Sequence, residues 1–366
     1  MILHILIDDK FSDYAISHFS EVPDKSEFVI INPTDELKFV RQTAKAKIVA
    51  PYSQEYYDVI KKLYNYSSIL FHGIFNSWCE ELIKNAPISI KIAWMVWGGE
   101  IYGRKDLIDS FLAPRTKIIS HLRRILKHNN VYSYELPITL YRRIDYCLTN
   151  MNEEYSYVRQ YLHSNRLKFL WYSYYSIKDT LGPLINGNIT GNNIIIGNSC
   201  TIECNYFDIL PKLWLFRRKI KGNIILPLSY GSKWLQNLLI PFSTRLFGKR
   251  CLALTEFVPR EQYNAILSSC AVMIQPHYRA QAMGNIVTAL WLGMKVYLSE
   301  KNITYDYFKR LGLIIFSIEQ DLHRNNPNVF LPLTMNEVTH NRRLLEAETG
   351  NERIMRSVRN ITNILQ

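Results

Sequence analysis

The sequence predicts an α/β protein made of two domains, each with an open parallel sheet. Short apolar runs alternate with longer amphipathic stretches along most of the chain, as buried parallel strands alternate with crossover helices. This alternation stops at residues 176–193 and then restarts. Four breakers lie in that stretch: Gly182, Pro183, Gly187 and Gly191. We therefore interpret it as the linker between the two domains.

The first domain, residues 1–180, contains six runs typical of buried strands. They are residues 2–7, 27–31, 68–71, 92–96, 145–148 and 167–172. Between them, residues 53–64 and 77–85 have the apolar spacing of helices. The opening run ends in acids and has no basic segment or small-residue cleavage site, so we expect a strand there and not a signal peptide.

The second domain, residues 190–334, repeats the pattern. Its predicted strands are residues 194–196, 224–228, 251–254, 272–275 and 295–298, and its predicted helices are 259–269 and 285–292. Residues 335–366 form a separate helical segment, broken near Gly350. Two open sheets joined by a linker predict two Rossmann-like domains facing each other across a cleft, where ligands bind beside the carboxyl ends of the strands.

Composition narrows the class of partner. The formal net charge of +12 favours an anionic partner, namely nucleic acid, an anionic membrane or a phosphorylated substrate, although a solubility bias gives the same balance. No run of about 18 apolar residues is present, so we expect no spanning helix. The six cysteines form no CxxC pair, which indicates free cytosolic thiols.

The strongest candidate for phosphate binding is the loop 277–284 with the helix that follows it. Glycine lets a backbone approach an anion closely, and the free amides of a helix start bind phosphate oxygens. Arg279 supplies a cation for a diphosphate, and Gln281, Gly284 and Asn285 lie in the same stretch. An ordinary strand–loop–helix turn explains the pattern equally well.

Three other strand ends in the second domain carry candidate donor-binding residues. Gly197, Asn198 and Ser199 are small or polar and follow a strand, where they either admit a diphosphate or form a tight turn. Tyr230 offers a ring for a nucleobase, or packing alone. Glu256 lies just past its strand, where a carboxylate accepts ribose hydroxyls or caps a helix.

Two loops of the first domain provide candidate catalytic and acceptor-side residues. Glu100 is a candidate general base, since burial raises the pKa of a carboxyl, and His72 is a candidate for phosphate binding or the same role. Trp97 offers a sugar-stacking face, with Gly98 and Asn76 beside these loops. Each residue taken alone is equally compatible with packing. No Asp-x-Asp lies in these loops, so we expect metal-independent catalysis without a cofactor, with Asp8 and Asp9 as further base candidates.

A basic segment, residues 104–143, alternates cations with apolar residues at helical spacing. Its cations include Lys117, Arg123, Arg124 and Lys127. This pattern predicts an amphipathic helix on anionic lipid, each cation contributing about 1 kcal/mol, although a solvated helix face gives a similar pattern. Nucleic acid is disfavoured because no recognised binding motif accompanies the charge.

Five of these motifs together resemble a known enzyme family. They are residues 72–76 (HGIFN), 94–102 (WMVWGGEIY), 196–199 (IGNS), 226–230 (LPLSY) and 279–285 (RAQAMGN). Their order and spacing, from about residue 68 to residue 316, are similar to those of the bacterial TDP-N-acetylfucosamine:lipid II N-acetylfucosaminyltransferases, glycosyltransferase family 56. The sequence departs from that pattern at Cys200 and at residues 282–285, which leaves the donor sugar open.

The resemblance implies a GT-B fold, a TDP-sugar donor, a polyprenyl-diphosphate-linked glycan acceptor and peripheral attachment to the cytoplasmic face of the bacterial inner membrane. It also matches Glu100 to an acidic position of the family, and it assigns two sets of residues to the donor side: Gly197, Asn198 and Ser199, and Arg279, Gln281 and Gly284. Two other classes remain open. One is a non-catalytic membrane- or nucleic-acid-binding module with degenerate domains. The other is a sugar-nucleotide epimerase or oxidoreductase, which is weakened because no GxGxxG follows the first strand.

Overall fold

The computed structural model describes residues 1–126 and 134–366 and divides the chain into two compact units. Unit 1 contains Met1–Arg104, Thr349–Gln366 and the described residues of Tyr132–Ser176. Unit 2 contains Ile177–Glu348 and the described residues of Lys105–Val131. The division differs from the predicted boundaries in two segments: the basic segment belongs with the second unit, and the C-terminal helix with the first. Among the described residues, no helix is long and apolar enough to cross a membrane.

Unit 1 is built on a seven-stranded, fully parallel sheet. Its strands are β1 (Ile2–Leu6), β2 (Ser26–Ile31), β3 (Ala46–Val49), β4 (Ser68–His72), β5 (Lys91–Met95), β6 (Tyr146–Thr149) and β7 (Lys168–Trp171), in the order β3-β2-β1-β4-β5-β6-β7. The order reverses between β1 and β4. The chain leaves these two strands toward opposite sides of the sheet, so a crevice opens at their carboxyl ends.

The helices of unit 1 cover both faces of this sheet, as a parallel sheet requires. They are α1 (Ser12–Ser20), α2 (Gln54–Lys61), α3 (Ser77–Asn85), α4 (Gly99–Tyr102), α6 (Ile138–Tyr141), α7 (Asn152–Tyr161) and α15 (Asn351–Leu365); the helices with the intervening numbers belong to unit 2. The helix α15 packs against α1 and β7 and buries Ile354, Val358, Ile361 and Leu365 completely. Their spacing forms one apolar stripe, which is the reason α15 completes the core of unit 1.

Unit 2 has a six-stranded parallel sheet. Its strands are β8 (Asn193–Ile196), β9 (Ile224–Pro227), β10 (Cys251–Leu254), β11 (Cys270–Gln275), β12 (Lys295–Leu298) and β13 (Phe316–Ser317), in the order β10-β9-β8-β11-β12-β13. Its helices are α5 (Pro114–Leu126), α8 (Ile177–Leu181), α9 (Tyr206–Trp214), α10 (Lys233–Phe247), α11 (Arg260–Ser268), α12 (Met283–Leu292), α13 (Ile303–Arg310) and α14 (Met335–Thr349). The strand order reverses between β8 and β11.

Two polar side chains attach α5 to unit 2. The Asp208 carboxylate accepts hydrogen bonds from the backbone amides of Arg115 (3.0 Å) and Thr116 (2.9 Å). An acid in this position satisfies amides that have no partner within the helix. Asn205 accepts from the Ala113 amide at 2.8 Å. These contacts, made by α9 and the residue before it, explain why the basic helix folds with the second sheet.

The predicted fold class of two Rossmann-like domains with parallel sheets is confirmed. All eleven predicted strands are present within a residue or two of their predicted bounds, and β3 and β13 were not predicted. The helix predicted at 285–292 begins at Met283, so Gly284 and Asn285 lie inside its first turn. The helices α1, α7, α9, α10 and α13 were not predicted individually.

Candidate functional site

The carboxyl edge of β8 and β11 is the switch point of the second sheet, where α/β proteins of this kind bind ligands. The two loops that leave these strands are residues 197–199 and 276–282, both predicted from the sequence to bind a donor. They are hydrogen-bonded to each other. The Asn198 Oδ1 atom accepts from the Gln281 Nε2 atom at 2.8 Å and from the His277 Nε2 atom at 3.1 Å. The structure therefore brings the predicted loops together.

Position 197 requires a glycine because of its backbone conformation and its close neighbour. Its φ is +66°, and an added Cβ would lie 2.3 Å from the Tyr206 hydroxyl oxygen. Only glycine fits such a position. Ser199 is buried and accepts a hydrogen bond from the Gln281 Nε2 atom at 3.3 Å. The loop of residues 197–199 is thus held in place by these contacts, and Gln281 links it to the turn before α12.

The turn before α12 presents unpaired backbone amides. Ala282 caps the helix with φ +60°, a left-handed conformation that costs a residue with a Cβ about 1 kcal/mol. The first helical hydrogen bond runs from the Ile286 amide to the Ala282 carbonyl at 3.0 Å, so the amides of Met283, Gly284 and Asn285 have no acceptor inside the helix. Such a helix start attracts anions.

Gly284 is exposed, and the protein itself does not require a glycine there. The nearest atom to an added Cβ would be the Thr180 Cγ2 atom at 3.8 Å, an ordinary contact, and its φ is not positive. A glycine at a position where packing does not demand one leaves the backbone open to close approach by a ligand. Arg279 is half-buried, and its NH1 atom donates to the Ala280 carbonyl at 3.3 Å. Asn285 donates to the Tyr263 hydroxyl at 3.3 Å.

Sequence reasoning missed a buried polar cluster behind these loops. His277 is completely buried, and its Nδ1 atom has no hydrogen-bond partner among the residues that the structure describes. Burial raises the pKa of the Cys204 thiol, but the electrostatic effect of the nearby His277 and hydrogen bonds from the Thr201 side chain and the Asn198 backbone lower it to about 6. Because Cys204 and His277 are far apart in the sequence, no local motif indicates the pair. The side chains of His277 and Cys204 both contact the Asn198 Oδ1 atom from the buried side of the loop.

Two exposed aromatic rings lie at the ends of β9 and β10. Tyr230 is 60% exposed and Phe257 is 70% exposed, and their ring centroids lie 6.4 Å apart in an edge-to-face arrangement. Glu256, beside Phe257, is exposed. Phe257 was not singled out from the sequence, because it follows its strand by three residues in an irregular segment. Each of these exposed rings offers an apolar face of the kind that stacks on a base.

In unit 1, Glu100 has the properties of a candidate base. Its Oε1 atom accepts from the Trp94 indole N–H at 2.9 Å and the Trp97 backbone amide at 3.0 Å. Its Oε2 atom is buried and has no hydrogen-bond partner in the described part of the chain. Burial raises the pKa of this carboxyl to about 7, although these hydrogen bonds and the start of α4 oppose the shift. A carboxyl that titrates near neutrality can exchange a proton with a substrate.

The other predicted residues of unit 1 differ in accessibility. Trp97 is half-buried, Gly98 has φ +90° at the cap of α4, and Asn76 is exposed at the start of α3. His72 is only 1% exposed, and burial lowers its pKa to about 3. The structure therefore places a neutral His72 ring inside the core, where it does not reach solvent.

The two acids after β1 have different environments. Asp8 accepts hydrogen bonds from the backbone amides of Lys38 (2.6 Å), Phe39 (2.9 Å) and Val40 (3.0 Å), so it fixes the loop that follows β2. Asp9 is half-buried at the carboxyl end of β1, and burial raises its pKa. Among the described residues, no cluster of three or more His, Cys, Asp or Glu could hold a metal ion. Metal independence stays a prediction.

The predicted membrane segment forms the helix α5, which exposes a long apolar stripe. Ile118 (61%), Leu122 (53%), Ile125 (58%) and Leu126 (82%) are exposed, whereas Ile119 packs on the core. Lys117 and Arg124 border this stripe and line an open groove of about 320 Å³, together with Asp109, Ile118, His121 and Leu122.

Two of the predicted membrane cations have other partners. Arg123 stacks on the Trp234 ring at 4.4 Å, and Arg124 pairs with Asp109 at 2.7 Å. Lys127 lies outside the described residues. The accessible part of the predicted lipid face is therefore the apolar stripe with Lys117 beside it.

Comparison with solved structures confirms the fold. The chain is similar to sucrose-phosphate synthase from Thermosynechococcus elongatus, with 11% identity, a TM-score of 0.60, and 100% of this chain and 99% of that chain covered. It is similar to Anabaena HepE in complex with UDP and glucose, with 10% identity, a TM-score of 0.58, and 100% and 98% covered. It is also similar to WaaG, a glycosyltransferase involved in lipopolysaccharide biosynthesis, with 7% identity, a TM-score of 0.55, and 100% of both chains covered.

These structures share the GT-B fold, so the predicted GT-B class is confirmed. No protein-family model matches the sequence, and no curated protein matches it significantly. The resemblance to family 56 therefore stays a prediction.

Proposed function

We propose that this chain is a glycosyltransferase that uses a nucleoside-diphosphate sugar as its donor. The proposed donor is a TDP-linked 4-acetamido-4,6-dideoxyhexose, N-acetylfucosamine, and the proposed acceptor is a polyprenyl-diphosphate-linked glycan of bacterial surface polysaccharide synthesis. The donor and acceptor identities rest on the motif resemblance at residues 72–76, 94–102 and 279–285. The proposed use of a nucleoside-diphosphate sugar rests on the loops and helix start at the carboxyl edge of the second sheet.

One observation carries the proposal: the start of α12 is an open anion site at a switch point. Its free amides, the accessible backbone of Gly284 and the nearby Arg279 suit a diphosphate. Beside the same sheet edge, Tyr230 and Phe257 offer stacking surface for a base. The similarity to HepE, which was solved with UDP and glucose, supports this interpretation.

The chemistry requires two groups. As the acceptor hydroxyl oxygen forms its bond to the anomeric carbon, its proton passes to a base, and Glu100 is our candidate because its pKa of about 7 and its unpaired Oε2 atom suit that task. The bond from the anomeric carbon to the diphosphate breaks, and the leaving group gains negative charge. The α12 amides and Arg279 stabilise that charge.

The acceptor lipid gives the apolar stripe of α5 a role. Ile118, Leu122, Ile125 and Leu126 are exposed together, which is costly in water and favourable at the boundary of a bilayer. Lys117 adds attraction to anionic headgroups. We therefore propose peripheral binding at the cytoplasmic face of the inner membrane through this helix.

A second candidate is the transfer of another nucleotide sugar in capsule or O-antigen synthesis. It is favoured by the departures from the family pattern at Cys200 and at residues 282–285, and by the similarity to WaaG. The two candidates differ in the base and hexose of the donor, and they share the donor site described above.

Calorimetric titration with TDP-, UDP- and GDP-sugars tests the proposal. We expect one nucleotide series to bind at micromolar concentrations and Arg279→Ala to weaken that binding about tenfold or more, because a charge-assisted contact is lost. Arg245→Ala, which removes an exposed arginine from the last turn of α10, is the matched control and should bind normally. Failure of every nucleotide to bind, or an unchanged affinity of Arg279→Ala, would contradict the donor site.

A further inference from the structure

A chain of hydrogen bonds crosses the core of unit 1 and ends at Trp97. The Trp97 Nε1 atom donates to the Tyr174 hydroxyl at 3.0 Å, and that hydroxyl lies 2.8 Å from the His72 Nδ1 atom. The His72 Nε2 atom lies 3.1 Å from the His4 Nδ1 atom. The His4 Nε2 atom lies 3.1 Å from the Ser26 hydroxyl. Four consecutive contacts thus connect β2, β1 and β4 to the indole at the end of β5.

The backbone register places this chain on one face of the sheet. His4 pairs with Phe28 on β2 and with Leu70 on β4. Ser26 and His72 are each two residues away from those partners, so all three side chains point to the same side. His4, His72 and Tyr174 are 0%, 1% and 5% exposed. They therefore form a diagonal polar line through an apolar core.

One arrangement of protons satisfies the whole chain. An indole N–H can only donate, so the Tyr174 oxygen accepts from Trp97 and its own hydrogen goes to the His72 Nδ1 atom. His72 then carries its proton on Nε2 and donates to His4, which in turn donates to Ser26. Burial keeps both rings neutral, because it lowers the pKa of His72 to about 3, and burial and the neighbouring His72 lower that of His4.

The outer end of the chain is the part that a ligand can reach. Apolar side chains of equal size would fill this core without burying any polar group. A buried polar group that is left unpaired costs about 1–3 kcal/mol. Trp97 is half-buried and packs against Phe11 (centroids 5.1 Å apart) and Phe75 (5.5 Å). Beneath it, an added Cβ on Gly73 would lie 3.2 Å from the Trp97 Cδ2 atom. Packing thus locates the ring, and the hydrogen bond to Tyr174 sets its tilt.

We propose that Tyr174 and His72 are positioning residues that hold the Trp97 indole as the platform for a sugar ring of the acceptor. This inference rests on the proposed function for the identity of that ligand. The C–H face of a sugar ring stacks on an aromatic ring, and the contact depends on the angle between the two planes. His72 therefore acts through Tyr174 and Trp97, without touching the substrate.

The chain supplies a matched control for Tyr174. Tyr172, two residues earlier, is also buried, and its hydroxyl lies 3.1 Å from the Nδ1 atom of another buried histidine, His18. Tyr174→Phe and Tyr172→Phe therefore remove the same hydroxyl from the same core and from the same kind of partner. Only Tyr174→Phe removes the acceptor of the Trp97 N–H.

The first measurement is hydrogen exchange of the indole N–H groups by NMR, with the Trp97 signal identified by its absence in Trp97→Phe. We expect exchange of that signal to speed up about fivefold or more in Tyr174→Phe, since one hydrogen bond of about 1 kcal/mol is lost. Tyr172→Phe should leave it unchanged. Equal exchange rates in both variants would overturn the inference, whether or not the protein transfers a sugar.

The second measurement is transfer to a synthetic polyprenyl-diphosphate disaccharide. Tyr174→Phe should raise the KM for this acceptor about fivefold while kcat and donor affinity stay within twofold. The variant carrying both Tyr174→Phe and Trp97→Phe should be no worse than Trp97→Phe alone, because Tyr174 acts only through the indole. Additive losses would refute the positioning role. Absence of transfer by the wild-type protein would instead refute the proposed function and leave the exchange result standing.

Discussion

Gly284→Ala should make the protein more stable and less able to bind a diphosphate. Gly284 lies in the first turn of α12 with a φ that is not positive. Alanine in a helix is favoured over glycine by roughly 0.5–1 kcal/mol, because the unfolded glycine chain has more freedom to lose. The added methyl group finds space, with its nearest neighbour, the Thr180 Cγ2 atom, 3.8 Å away.

The same methyl group occupies the approach to the amides of the α12 start. Loss of one charge-assisted hydrogen bond costs about 1.5–3 kcal/mol, so the dissociation constant for TDP or UDP should rise about tenfold or more. The gain in stability should raise Tm by a few degrees, about 2–4 °C per kcal/mol for a unit of this size. Calorimetric titration and thermal unfolding measure the two effects separately.

Gly312→Ala is the control with the opposite signature. Gly312 has φ +81° after α13, and an added Cβ would have space near the Leu344 Cδ1 atom at 3.7 Å. Alanine is strained there by about 1 kcal/mol, so this variant should be less stable and bind nucleotide normally. If Gly284→Ala bound nucleotide as tightly as the wild-type protein, no phosphate would lie against this turn, and the donor site would have to be sought elsewhere.

Two further predictions concern Glu100 and α5. Glu100→Gln should lower turnover at least 100-fold without changing donor affinity. Burial raises the pKa of Glu100 in the folded protein from 4.5 to about 7. The wild-type protein therefore loses stability as pH rises from 4.5 to about 7, because the buried carboxyl ionises less readily than the unfolded one. The stability of Glu100→Gln relative to wild type should therefore grow by about 3 kcal/mol between pH 4 and pH 8, and a flat difference in urea unfolding would contradict the assigned pKa. Leu122→Glu with Ile125→Glu should abolish sedimentation with anionic vesicles, whereas Arg245→Glu on α10 should leave most of it. Continued sedimentation of the double variant would exclude α5 as the lipid contact.

The sheets could be predicted from sequence because their signal is local. Residues 2–6 and 272–275 are buried on both faces and, apart from His4 and Gln275, apolar, which distinguishes a central parallel strand without knowledge of its neighbours. The edge strand β3 was missed because it is short and carries Lys47, exposed in the middle of the strand. The loop and helix start at Gly284 were found because strand, breaker and helix follow one another in order.

The rest of the site depends on contacts between distant residues. Nothing near Tyr174 in the sequence indicates His72, and nothing near Cys204 indicates His277. The basic helix was predicted correctly as amphipathic, yet Asp208 determines which unit it joins. Arg123, predicted to face lipid, instead stacks on Trp234, because the helix turns that side toward α10. Composition shows that cations are present, and tertiary packing decides which of them remain accessible.

The position of α15 has a consequence for biosynthesis. This helix supplies four fully buried apolar side chains to the core of unit 1. The last strand of that unit ends at Trp171, so about 180 residues separate it from α15 in the sequence. At roughly 5–20 residues per second, a ribosome needs about 10–40 s to make the intervening segment. During that interval the first-made half exposes the apolar groove that α15 later fills. A nascent chain stalled before residue 351 should therefore recruit holding chaperones, and its N-terminal half should gain resistance to protease only after α15 has been released.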